Sequence, residues 1–412
     1  MKIIEYTCRN YKPFREETEI QVKPLTLIFG KNNSGKSAAL RLPRLLLRAL
    51  SSRVRGNFPL FVDEITYGGK FRDLIHGGLS HGDVSFGIVV EVEGQRLDLG
   101  ATVQNIFNIQ ESTKSAAETN IVSRLRIANS SIDLRWDPGS GPIGSFKGYG
   151  YLPFRGLLPE TRGLVNVKAE WGLIDEWRER IELLEDRLSH LGPVRCQIPR
   201  LLETGVWRDF GFDGAGTLSY VYRDSELLER VAVWFEKHME GWRLSMDSAG
   251  SAYHCVLRRG SIVVNLADSG QGIQQVFPIV VQQLMRQLRG EESFVDLVEQ
   301  PELHLHAAAQ APLGDLFLET AKQGHGQVLV ETHSENLLLR IRRRVAEGAD
   351  PNLIALYYVS EHPEGYSSIK RIYILEDGSV DWWPNGVFSE GYEEVKAWRR
   401  AARARTVDTA KP

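Results

Sequence analysis

Cysteine, methionine and long apolar runs are what this 412-residue chain has least of. The three cysteines, Cys8, Cys196 and Cys255, are odd in number and far apart, which argues against a disulfide framework and against a clustered zinc site. No apolar run approaches the roughly 20 residues that span a bilayer, and residues 1–5 lack the apolar stretch of a signal peptide. A membrane is therefore not an expected partner, and a reducing cytoplasm is the expected compartment. Excess charge is missing as well: 50 Lys+Arg against 53 Asp+Glu leave a formal net charge of −3, so nothing global calls for nucleic acid. Local basic clusters do exist, at Arg41, Arg44 and Arg48, at Arg340, Arg342, Arg343 and Arg344, and at Arg399, Arg400, Arg403 and Arg405. Each is either a solvated helix face or a DNA surface, and DNA stays open as a ligand. The rest, 42% hydrophobic and 25% charged, is ordinary globular composition with apolar content for one large core or two to three smaller ones.

Against that background one segment stands out. Gly30-Lys31-Asn32-Asn33-Ser34-Gly35-Lys36-Ser37 follows the apolar run Leu25-Thr26-Leu27-Ile28-Phe29 and precedes a helical stretch over residues 38–50. Two glycines at this spacing let backbone N–H groups turn toward phosphate oxygens, and the following helix adds the positive end of its dipole. Lys36 would reach the β- and γ-phosphates and the Ser37 hydroxyl would coordinate Mg²⁺. The segment predicts a nucleoside triphosphate site.

Around it, residues 19–22 alternate, residues 25–29 read as a buried strand, and residues 84–90 and 123–127 read as antiparallel strands. Residues 137–150 are rich in glycine and proline and read as a loop. Ile174, Trp177, Ile181, Leu184, Leu188 and Leu191 recur at spacings of three and four, which predicts an amphipathic helix over about 171–191. Residues 253–258 and 261–266 suggest a hairpin around Arg259-Gly260. Helices are predicted over 273–289, 307–322 and 336–345, with strands at 294–298 and 327–331 between them. Strands alternating with helices predict a mixed or parallel sheet with covering helices.

A phosphate loop needs a partner that holds Mg²⁺ and polarises water, usually a carboxylate at the end of a neighbouring strand. Glu299, in Val298-Glu299-Gln300-Pro301-Glu302, sits where an apolar strand stops and is the expected Mg²⁺ partner of Ser37. More than half the chain separates it from Lys36, so the core is discontinuous, with inserted material between its halves. Past the next strand, His333 in Glu331-Thr332-His333-Ser334 can contact a γ-phosphate and report its presence. Asp268-Ser269-Gly270-Gln271 precedes a predicted helix; Ser and Gly there make an anion site with no phosphate loop of its own, as expected of a segment acting on a neighbour's nucleotide. His304 and His306 lack further ligands at metal spacing and do not make a zinc site.

In these motifs, with Leu191-Gly192-Pro193-Val194-Arg195 and Trp382-Trp383-Pro384-Asn385-Gly386-Val387-Phe388, the chain resembles the ABC-type ATPases that include the RecF and structural-maintenance-of-chromosomes proteins. It is similar in particular to the overcoming-lysogenisation-defect group of bacterial AAA-type ATPases. The resemblance implies an α/β fold: an ABC-type phosphate-loop head with a mixed central sheet, an antiparallel β subdomain and a helical insertion. It implies residues 1–135 as the first half of the head, 136–215 as the insertion, 216–360 as the second half and 361–412 as a small C-terminal segment. It also implies ATP and Mg²⁺ as ligands and a homodimer or higher oligomer, with each ATP held between one subunit's phosphate loop and the other's Ser269 and Gly270. By the same resemblance His333 is the switch histidine, and Phe71-Arg72-Asp73-Leu74-Ile75-His76-Gly77-Gly78 is the candidate for the metal-reading glutamine segment.

The chain also departs from the family. Glu299 stands where the Mg²⁺-associated aspartate is expected, Gln300 replaces the catalytic glutamate and cannot accept a proton, and His306 stands at the dimer-contacting aspartate. Glu302 is the replacement base, or hydrolysis is slow. The expected function is an ATP-hydrolysing sensor or motor subunit with a separate nuclease or toxin as effector, in anti-phage defence or DNA maintenance. The separate effector is expected because residues 361–412 show no acidic metal cluster and no His-Asn-His nuclease pattern. An ATP-gated DNA or protein clamp with negligible turnover, or a stand-alone RecF-like repair ATPase, are the alternatives.

Overall fold

The computed structural model describes residues 1–388 and 395–399, apart from Arg55, Asn57, 111–114, Asn129, Ser131, 140–144, Gly148, Tyr149, 161–170, 204–208, Ser251, Glu291 and Glu292. Strands β1 (Lys2–Arg9) and β2 (Thr18–Gln21) pair antiparallel, and β3 (Leu25–Gly30) runs into the phosphate loop ahead of α1 (Lys36–Leu50). Then come β4 (Gly82–Val92), antiparallel to β1, and β5 (Gln95–Gln110), β6 (Ser115–Ile127) and β7 (Asp133–Arg135), each antiparallel to the one before. After α2 (Gly172–Asp186) and β8 (Leu188–Leu191) lie α3 (Thr217–Arg223), α4 (Ser225–His238) and the meander β9 (Arg243–Ala249), β10 (Ala252–Arg259) and β11 (Ile262–Asn265). Next follow α5 (Gln271–Arg289), β12 (Val295–Glu299), α6 (Ala307–Lys322), β13 (Gln327–Thr332), α7 (Glu335–Ala346), β14 (Ile354–Glu361) and β15 (Ser367–Ile372).

Two six-stranded sheets organise these elements. The central one has the order β8-β12-β13-β3-β14-β15; every neighbouring pair is parallel except β14 and β15, so the sheet is mixed. The other, β2-β1-β4-β5-β6-β7, is antiparallel throughout. Central strands alternate their side chains between two cores, as a period of two requires. Ile28, Leu297, Leu329 and Tyr357 join the core shared with α1 and the antiparallel sheet. Leu27, Val298, Val330 and Leu356 join the core shared with α4, α5, α6 and α7. Each such buried aliphatic side chain contributes about 1.5–3 kcal/mol, which leaves chemistry to the carboxyl ends of the strands. There the residues become polar: Gly30 on β3, Glu299 on β12, Glu331 and Thr332 on β13.

The helix predicted over 171–191 is shorter than its pattern. It ends at Asp186, and Leu188 and Leu191 belong to β8, which pairs in parallel with β12 from Leu188 opposite Val295 to Leu191 opposite Val298. Leucines three apart fit a helix stripe, and Leu188 and Leu191 are also the two ends of a four-residue strand; sheet pairing decides between them. The 136–215 stretch thus supplies an edge of the central sheet. So does the C-terminal stretch, through β15. Beyond β15, Trp383 and Phe388 stack on Phe29, with centroids 5.2 and 5.9 Å away, directly behind the phosphate loop.

Candidate functional site

The loop between β3 and α1 is tight for stated reasons. A Cβ on Gly30 would lie 2.3 Å from the Val359 carbonyl oxygen, and one on Gly35, at φ +100°, would lie 2.4 Å from Pro13 Cγ. Neither position admits another residue without displacement of the backbone or of Pro13. Lys36, only 4% exposed, donates from Nζ to the Lys31 carbonyl at 2.7 Å, so its ammonium is folded back over the loop. Burial lowers its pKa, and Glu331 and Glu302 oppose that shift. Ser34 Oγ is buried without a hydrogen-bond partner. A cavity of about 640 Å³ opens on this loop, walled by Asn32, Asn33, Lys36 and Ser37 on one side and Gln300, Glu331 and His333 on the other. That volume is in the range of small-molecule sites.

The carboxylate that meets Ser37 is Glu331, not Glu299. Ser37 Oγ donates to Glu331 Oε1 at 3.0 Å, while Glu331 Oε2 is buried and unpartnered. Glu299, expected to be the Mg²⁺ partner, is committed elsewhere. Both of its oxygens accept from Arg41, at 2.7 Å each, and Oε1 also accepts from His190 Nε2 at 2.8 Å. Burial pushes the Glu299 carboxyl up, but His190 and Arg41 outweigh it and hold the group below its ordinary value. Burial brings His190 down to about 4, so the ring is neutral and its Nε2–H is the donor. Glu331 is pushed up to about 7, first by burial and then by the nearby charge of Glu299. Ser37 Oγ and the unpartnered Glu331 oxygen form the hard-oxygen pair that suits Mg²⁺, and the residues present fit that ion.

Glu302 is not among the residues that wall the cavity. Its carboxylate accepts from Thr332 Oγ1 at 2.9 Å and from the His333 backbone N–H, so it braces the turn after β13. Gln300 does reach the cavity. Its φ is +43°, and its backbone N–H donates to the Glu331 carbonyl at 2.8 Å, which turns the chain out of β12 beside Glu331. His333 lines the same cavity; burial, then Lys36, brings its pKa to about 4, and it is neutral at neutral pH.

None of Asp268, Ser269, Gly270 and Gln271 lines this cavity. Gly270 caps the N-terminus of α5, and Asp268, Gly270 and Gln271 are exposed. Ser269 Oγ donates to the Leu266 carbonyl at 2.7 Å, and Asp268 pairs with Arg200. The 71–78 segment forms two 3₁₀ turns outside the cavity; it holds the Lys12–Pro13 turn, Lys12 N–H donating to the Leu74 carbonyl at 2.7 Å. His304 and His306 are exposed. A larger cavity, about 900 Å³, lies at Arg44, Arg48, Arg53 and Glu185, away from the phosphate loop.

The arginine clusters are largely neutralised within the chain. Arg41 pairs with Glu299, Arg44 with Asp63, and Arg48 with Asp63 and Glu185. Arg340 and Arg344 pair with Asp315, Arg343 and Arg344 with Glu347, and Arg342 donates to the Gly378 carbonyl at 2.9 Å. Arg400, Arg403 and Arg405 lie outside the described residues. Glu331 and Arg41 are the site residues that sequence reasoning missed. The signal for Glu331 was its place at the end of the strand next after Glu299's, opposite Glu299 in register; Arg41 had only its position on the first turns after the loop.

Comparison with known proteins bears on the family and the fold. The model of the AAA ATPase domain matches residues 1–120 and 242–338, more than half of the chain, including the phosphate loop, Ser269, Glu299 and His333. Among solved structures, the SMC head domain from Thermotoga maritima is similar at 13% identity, covering 90% of this chain and 98% of that one, with a TM-score of 0.43. An Smc head bound to the C-winged helix domain of ScpA is similar at 12% identity, covering 91% and 99%, with a TM-score of 0.52. An Smc head with an extended coiled coil, bound to the C-terminal domain of ScpA derived from Pyrococcus furiosus, gives 12%, 90%, 96% and 0.48. At these identities the likeness concerns the fold alone. No curated protein matches the chain. With the mixed α/β fold of an SMC-type head and the family's match across both halves of the site, the chain belongs to the AAA ATPase domain family.

Proposed function

We propose that this protein is an Mg²⁺-dependent ATPase whose two copies close on ATP, and that it serves as the sensor or motor subunit for a separate effector. The convergence of Lys36, Ser37, Glu331, Gln300 and His333 on one cavity carries this reading. Lys36 would move from the Lys31 carbonyl to the β- and γ-phosphates, Ser37 and Glu331 would hold Mg²⁺, and neutral His333 would donate a hydrogen bond to the γ-phosphate. Mg²⁺ bound there supplies neutralisation of phosphate charge. Gln300 orients the attacking water, which its amide can do without taking the proton. The Ser269–Gly270 turn, with Ser269 half-buried and Gly270 exposed outside its own chain's cavity, completes the phosphate site of a neighbour. An effector of the nuclease or toxin kind, in anti-phage defence or DNA maintenance, is the assignment the resemblance favours. The Smc head bound to a ScpA domain is a precedent for a head that works with another protein.

The second reading, a slowly turning ATP-gated clamp, is favoured by one observation: the Glu302 carboxylate is engaged by Thr332 and His333, while Gln300 has no group that accepts a proton. Phosphate release from ATP separates the two. The motor reading expects Mg²⁺-dependent turnover above background that Lys36→Ala abolishes. Binding and closure with no turnover establishes the clamp, and absence of ATP binding sinks both.

A further inference from the structure

Arg195 is a buried cation in an unusual setting. It is 3% exposed, yet it pairs with no carboxylate among the described residues. A buried guanidinium is costly unless its donors are satisfied. Here they go to main-chain oxygens: the Glu299 carbonyl and, at 3.3 Å, the Gln300 carbonyl, while Nε has no partner. Those carbonyls flank the turn in which Gln300 holds φ +43° and reaches the nucleotide cavity. A non-glycine residue in that left-handed region is strained by about 1–2 kcal/mol and needs such support.

The other end of Arg195 is tied to the helix of the Ser269 turn. Arg195 N–H donates to Gln275 Oε1 at 2.9 Å, and Gln275 Nε2 donates back to the Arg195 carbonyl at 2.9 Å. The adjacent Gln274 donates from Nε2 to the Ser269 and Ala267 carbonyls, at 2.9 and 3.1 Å. A continuous set of hydrogen bonds therefore runs from the Ser269 turn, through the first turns of α5 and Arg195, to Gln300.

We propose that Arg195 is a positioning residue that couples the Ser269 turn to Gln300, so that contact of this turn with a neighbour's phosphate resets the chain's own nucleotide cavity. This rests on the closed-dimer reading above. Its consequence is cooperativity between the two composite sites, which a merely structural arginine would not produce. The experiment follows ATP turnover, or fluorescent ATP-analogue binding if turnover is slow, against nucleotide concentration, for wild type, Gln275→Ala, Arg195→Lys and the double variant. Wild type is expected to show a Hill coefficient of about 1.5 or more. Each variant falls to about 1, the double variant falls no further, and half-saturation stays within about threefold. If Arg195→Lys fails to fold, Gln275→Ala carries the test, because its side chain bonds only the backbone of residue 195. The inference is overturned if the variants keep the wild-type coefficient, if the effects multiply, or if a dimeric wild type has a coefficient of 1. If wild type binds ATP without changing mass, the dimer reading has failed instead.

Discussion

Glu299 and Glu331 are register partners on adjacent parallel strands, so their side chains leave the same face of the sheet. What separates them is who arrives opposite. Arg41 and His190 reach Glu299 and fix it as a carboxylate, whereas Ser37 reaches Glu331 with one bond and leaves an oxygen open. Their substitutions should part company. Glu331→Gln should raise the Mg²⁺ concentration needed for nucleotide binding roughly tenfold with little loss of stability, read by titration of a fluorescent nucleotide. Glu299→Gln should instead cost about 3 kcal/mol in urea denaturation, because it unpairs Arg41 in a buried setting. Lys36→Ala should weaken ATP binding roughly 10- to 100-fold through loss of a charge-assisted contact, with the fold intact. The loop itself was legible in the sequence because its chemistry is local: glycines, lysine and serine within eight positions. That Ser37 meets Glu331 while Glu299 is held elsewhere was not, because it depends on Arg41 from a helix and His190 from a distant edge strand.

Among the elements, the strongly patterned strands and helices were legible and the marginal ones were not. Residues 307–322 form a helix with the predicted bounds, although Pro312 lies inside it, and Pro43 and Pro278 likewise sit inside α1 and α5. Burial of the flanking leucines, isoleucines and valines outweighs the ~3 kcal/mol a proline costs within a helix. The 171–191 pattern misled because Leu188 and Leu191 continue the helical spacing in sequence, whereas in β8 they face opposite cores of the central sheet. Packing between α6 and α7 rests partly on Asp315; burial pushes its carboxyl up, but Arg344 and Arg340 outweigh that and hold it below the ordinary carboxylate value. A carboxyl with a depressed folded pKa adds stability that is present above the unfolded value and fades as pH falls through the folded one. Asp315→Asn should therefore cost roughly 1 kcal/mol in urea midpoint comparisons at pH 7, and the difference should shrink below about pH 4. Neutralising Arg340 and Arg344 should produce the same loss of stability, since those side chains are engaged with Asp315.

At the scale of the molecule, the discontinuous core follows from sheet order: β3, from the first thirty residues, lies between β13 and β14, from the last hundred. The sequence showed that the two halves must meet, and it assigned the Ser269 turn to a neighbour's nucleotide; in the fold, none of residues 268–271 walls the chain's own cavity. That separation is the physical reason to expect a second copy. Particle mass by light scattering, with and without ATP and Mg²⁺, tests it most directly when wild type, Lys36→Ala, Ser269→Arg and a mixture of the two variants are compared. Doubling of wild-type mass on ATP, no doubling for either variant alone, and recovery in the mixture, where one intact loop faces one intact Ser269 turn, are the predicted results. An unchanged wild-type mass, or a Ser269→Arg chain that doubles like wild type, would contradict the composite site.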